Sequence, residues 1–194
     1  MKKILFLVVF SVFAVSEDIS PTYQEKTGVV FQGKFGINAL SMPSGINSEN
    51  SVQILGGVGM SYLITPTLGF FVDLNYNTRA YKSGAIYSST GFIDVPFGID
   101  FNYGNMVTAM AKNDLRIGGM YSIPLSDFSA SALLASTRAQ GAFGLYIENQ
   151  TLFPVNAGFH MGFGLWAKIG LGSVLQGFDS RFVEVGGGLI FAFL

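Results

Sequence analysis

The side chains able to do chemistry in this chain are few and regularly placed. Four cations, Lys34, Arg79, Arg116 and Lys168, and four carboxylates, Asp73, Asp94, Asp100 and Glu184, each lie inside a stretch of alternating apolar and polar residues, always on the polar parity. Charges presented in this way can line a channel, or they can pair across a closed interior; their near balance of sign favours pairing over a selective ring. The single histidine, His160, shares its parity with Trp166 and Lys168 but has no acid close to it in sequence. It reads as a hydrogen-bonded interior residue rather than a general base, so no catalytic residue is assigned. With no cysteine there is no thiolate metal site, and no acidic cluster has calcium-loop spacing. Gly56-Gly57-Val58-Gly59 and Gly186-Gly187-Gly188 lack the strand-to-helix context of a phosphate loop, which leaves no cofactor or metal to expect.

The elements that must hold these charges are strands. From Val52 to Tyr81 the even positions, among them Ile54, Val58, Met60, Tyr62, Phe70, Val72 and Leu74, are apolar, while the odd ones carry Gln53, Gly57, Gly59, Asp73, Asn75, Asn77 and Arg79. Successive strand side chains point to opposite faces, so this is a hairpin turning at Thr65-Pro66, with one apolar and one polar side. The same pattern runs over Val29 to Leu40, over Phe92 to Phe101, over Ala157 to Ile169 and from Val183 to the end. Pro96 inside the second of these predicts a local bulge. Turn chemistry predicts loops at Ser41 to Asn50, Lys82 to Thr90, Asn102 to Asn105, Pro124 to Asp127, Glu148 to Pro154 and Leu171 to Ser180. Apolar parity flips near Arg138 to Gly141, marking a bulge or a turn. If Met106 to Ile123 and Phe128 to Ile147 are each one strand, the count is eight; turns at Asn113-Asp114 and Arg138 to Gly141 would make it ten.

Only one surrounding medium suits both faces. The chain is 49% hydrophobic and 12% charged, whereas an ordinary soluble domain carries about 25% charged residues. A small closed sheet could hardly enclose so many Phe, Tyr, Leu and Ile side chains, whereas a bilayer can solvate them and leave the charges a narrow interior. The fold predicted is therefore all-β: a single closed antiparallel transmembrane β-barrel with short periplasmic turns. Lys2 and Lys3 followed by the apolar run Ile4 to Val15 read as a secretory signal peptide over residues 1–16, ahead of a periplasmic arm at 17–28 and the barrel at 29–194. Without residues 1–16 the charge is 9 Lys+Arg against 12 Asp+Glu, a net of −3, which excludes nucleic acid as an obvious partner.

The stretches Phe31-Gln-Gly-Lys-Phe-Gly-Ile-Asn-Ala-Leu, Tyr62-Leu-Ile-Thr-Pro-Thr-Leu-Gly-Phe-Phe-Val-Asp-Leu, Phe92-Ile-Asp-Val-Pro-Phe-Gly-Ile-Asp-Phe and Arg181-Phe-Val-Glu-Val-Gly-Gly-Gly-Leu-Ile-Phe resemble the PorT-like and OmpX-like small outer-membrane β-barrels. The Ile93-Asp94-Val95-Pro96 segment is similar to that family's Leu/Ile-Glu-Ile-Pro strand. Such chains usually finish on Phe, and here Leu194 follows Phe193. The resemblance implies eight strands and residence in the outer membrane of a Gram-negative-type bacterium, and it implies little about activity. A His-Ser-Asn run of the lipid A deacylase kind is absent. The expected role is non-enzymatic: a monomer in membrane lipid with a filled polar lumen, structural or meeting a surface or envelope protein, with a narrow porin for small solutes as the alternative and a lipid-modifying outer-membrane enzyme as the one after it. On this reading Val72→Arg should block insertion, while Asn75→Arg should be tolerated better.

Overall fold

The computed structural model describes residues 28–41, 51–83, 86–103, 111–127, 138–156, 158–176 and 180–193; the expected signal peptide, the expected arm except Gly28, which begins the first strand, and most of the expected loop at 41–50 lie outside them. Eight strands form one closed antiparallel barrel in sequence order: β1 (Gly28–Ser41), β2 (Ser51–Thr65), β3 (Leu68–Ser83), β4 (Ile86–Asn102), β5 (Lys112–Pro124), β6 (Ala142–Asn156), β7 (Phe159–Gly170) and β8 (Val183–Phe193). β8 closes the sheet on β1 from Phe31↔Phe193 to Ser41↔Val183. Each strand pairs on both sides, so no edge is left open, the condition for crossing a hydrocarbon layer with strands.

The alternation decides which way each side chain points. Along β2 and β3 the even positions are exposed, including Ile54, Val58, Tyr62, Phe70, Val72 and Leu74, and Gln53, Ser61, Asp73, Asn75, Asn77 and Arg79 are buried. The other strands alternate in the same way over most of their described length, apart from Asn113-Asp114 in β5, both buried, and Phe153 to Val155 in β6, all exposed; the outward set forms an apolar belt in which Phe35, Phe143, Phe163 and Leu165 are each close to 60% exposed. Exposed apolar side chains over a whole circumference are stable only in hydrocarbon. The Thr65 hydroxyl fixes the β2–β3 turn by accepting the Leu68 amide at 3.0 Å.

Several expectations change. The ten-strand alternative fails because Asn113-Asp114 lies inside β5, paired with Thr151 and Gln150. Arg138 to Gly141 precedes β6; Gln140 N–H donates to Val174 O at 2.9 Å and Gln176 N–H to Arg138 O at 2.9 Å. The parity flip therefore marks a connection that pairs with another connection, and Phe128 to Ile147 is not one strand. Glu148 to Pro154, read as a loop, is the second half of β6. Its polar residues mislead because both faces satisfy them: Glu148 and Gln150 point into the barrel, while outward Asn149 accepts from the Tyr103 hydroxyl at 2.8 Å. Most of the expected Lys82 to Thr90 loop is strand, since the pairs run from Arg79↔Thr90 through Lys82↔Tyr87 to Ser83↔Ile86. Pro96 makes no bulge. The β3–β4 pairing passes from Val72↔Phe97 to Asn75↔Asp94 in one register, and β5 holds Pro96 opposite Met120. The missing amide interrupts the ladder locally while continuous pairing on both sides keeps the register.

Candidate functional site

The interior is layered, and β1 shows the order: Val30, Gln32, Lys34, Gly36, Asn38 and Leu40 point inward in turn. Val30 packs with Leu63, Leu152, Ile190 and Ala192 as an apolar layer at one end. Gln32 and Gln150 bond side chain to side chain at 3.2 Å above it. The charged layers follow, and the far end is apolar again: Leu40 joins Leu55, Phe92, Met120 and Ala142, with Val174, Leu175 and Phe182 brought in from the β7–β8 side.

All eight charges selected from sequence point into this interior and are buried, and the structure sorts them into two networks. In the first, Lys34 Nζ lies 2.6 Å from Asp73 and 2.5 Å from Glu148. Arg116 joins it through Asp100 at 3.1 Å and Asp73 at 3.4 Å, and its guanidinium also donates to the Ser61 hydroxyl. In the second, Arg79 grips Asp94 with two bonds of 3.0 Å and Glu184 with one of 2.6 Å. Lys168 reaches the same two acids at 2.7 and 3.2 Å, and the Ser122 hydroxyl donates to Asp94 at 2.7 Å. Arg116–Asp100, Arg79–Asp94 and Lys168–Glu184 join neighbouring strands, while Lys34–Glu148, Arg79–Glu184 and Lys168–Asp94 join strands three apart around the barrel, so each network reaches across the lumen.

Aromatic rings complete the packing. Arg79 is held between Phe92 and Phe182, at 4.5 and 4.2 Å from the ring centroids, and Arg116 lies 5.0 Å from the Phe71 centroid. A guanidinium stacks on ring faces through its plane, which lets each one use its edges for carboxylates at the same time. Inward glycines make the room. A methyl group at Gly59 would overlap Asp73 Oδ1, and one at Gly57 would overlap Asn75 Oδ1. Gly59→Ala is expected to destabilise the barrel by roughly 1–3 kcal/mol through this overpacking. Outward Gly33→Ala, with nothing within 4 Å, should change it by less than about 0.5 kcal/mol; urea titration of both variants checks this.

Sequence reasoning missed Glu148, Tyr146 and Phe182. Glu148 sat in an assumed loop; an even-parity register run through Tyr146, Glu148 and Gln150 would have found it. Phe182 is buried just ahead of β8, where strand periodicity has not yet begun. His160 is inward and buried opposite Pro154 and Ala192, six and eight residues along β7 from Trp166 and Lys168. Among the described residues no group of three His, Cys, Asp or Glu side chains could hold a metal ion.

Three solved structures share this architecture. Neisserial surface protein A matches with a TM-score of 0.56 at 17% identity, covering 84% of this chain and 96% of that one. The fold is that of a small outer-membrane β-barrel. The outer membrane protein OprG from Pseudomonas aeruginosa matches at a TM-score of 0.53 and 11% identity over 88% of this chain and 97% of its own. Ail, the attachment invasion locus protein of Yersinia pestis, matches at 0.50 and 10% over 87% and 100%. No family model and no curated protein sequence matches the chain.

Proposed function

We propose that the chain is an integral outer-membrane barrel with a closed lumen, acting as a structural or surface-interacting protein rather than as a pore or an enzyme. The observation that carries this reading is the pair of trans-lumen ion networks between two apolar layers: eight-stranded barrels are just wide enough for side chains to fill, and here Arg79, Arg116 and Lys168 are all fully buried. A porin of small solutes would need polar side chains facing water, and an enzyme would need a reachable acid–base pair. His160, the one histidine, is buried at 2% exposure, which supports a packing role. Kinship with the PorT-like and OmpX-like barrels, signal-peptide export and a monomeric state belong to the same proposal, resting on the strand motifs and the N-terminal pattern. With so little of the lumen available, the end carrying residues 125–127, 138–141, 171–176 and 180–182 is the surface left to meet another envelope molecule.

Cell fractionation tests the placement. The protein is expected in the outer-membrane fraction, migrating faster on gels before boiling than after. Recovery as a soluble periplasmic protein would end the proposal.

A further inference from the structure

The outward wall contains a groove where β7, β8 and β1 meet, with a volume of about 420 Å3. Its sides are the exposed side chains of Phe35, Ile37, Phe163, Leu165 and Leu189, and its floor is Gly187. Gly187 faces outward between Ile37 on β1 and Leu165 on β7, so the floor lies a full side chain below its banks. The wall behind it is thin. Trp166, the only tryptophan of the chain, packs directly on the inner side, where a methyl group on Gly36 would lie 2.6 Å from its Cη2 atom.

We propose that this groove seats one acyl chain of a membrane lipid. The groove is continuous with the apolar belt that contacts the bilayer, its banks present only hydrocarbon and aromatic carbon, and in the hydrocarbon layer no water is present to fill it. A chain lying along Gly187 touches a floor and two banks at once, whereas a chain against the convex belt touches one side; dispersion contacts add in proportion. The inference rests on the membrane placement of the barrel and is independent of whether the lumen conducts.

The position of Trp166 supplies the readout. The full-length protein, refolded into phosphatidylcholine vesicles brominated at successive acyl-chain depths, should lose Trp166 emission most at one depth, because bromine quenches indole at near contact. G187L should abolish that peak by filling the groove. Its Cβ would meet only Leu165 Cδ2 at 2.8 Å and Gly164 O at 3.2 Å, and the leucine end can turn aside. G33L, outward on β1 but outside the groove, should quench as the wild type does. Heat-modifiable migration verifies that each variant has folded, with G187M used if G187L has not. A depth profile unchanged in the filled variant would show contact with bulk lipid only and overturn the proposal. Absent quenching together with cross-linked dimers lost in G187L would instead give the groove to a second copy of the chain, and would overturn it too.

Discussion

Arg116→Met is expected to destabilise the barrel by roughly 3–5 kcal/mol, the cost of leaving buried carboxylates without their cation. Arg116 touches Asp100, Asp73 and the Ser61 hydroxyl from one guanidinium, and none of these groups can turn to water. Lys34 still serves Asp73 and Glu148 in the variant, so Asp100 bears most of the loss. Adding Asp100→Asn should therefore recover a large part of it. Equilibrium urea unfolding from bilayers measures all three proteins, and a double variant as unstable as the sum of the two single ones would show that the ion pair does not couple them.

Val72→Arg carries the second large effect. Val72 is 40% exposed on the outward face of β3, one residue from buried Asp73, and a cation near the bilayer midplane costs roughly 2–4 kcal/mol. Val72→Leu should be close to neutral. Asn75→Arg, the milder change on sequence grounds, is not mild in the folded barrel. Asn75 is 1% exposed, with its side-chain oxygen over Gly57, so an arginine there overpacks a filled interior. Folding yield into vesicles, read by gel migration, separates the cases; equal yields for Val72→Arg and Val72→Leu would mean that this face does not meet lipid.

The sequence made the wall easier to read than what fills it. Period-two alternation is a local property, so the faces of the β2–β3 hairpin, of β7 and of β8 could be assigned residue by residue, and Lys34, Asp94 and Glu184 could be placed inside. Alternation fails where both faces are polar, as over Glu148 to Thr151. It also fails where connections carry apolar residues, as at Val174 and Leu175, which fold over the lumen end instead of facing solvent. Which charge meets which could not be read, because Lys34 and Glu148 are 114 residues apart and become neighbours only through barrel closure. The glycines were visible as a composition, but their purpose depends on the register that sets Gly59 against Asp73.

The closed lumen is tested most directly by planar-bilayer recording on the refolded protein. With Lys34, Arg79, Arg116 and Lys168 all ion-paired inside the barrel, Lys34–Glu148, Arg79–Glu184 and Lys168–Asp94 crossing it, and apolar layers at both ends, no steady conductance is predicted under an applied voltage. Stable, ion-selective steps that shift when Asp94 or Arg116 is neutralised would contradict that and make the protein a small porin.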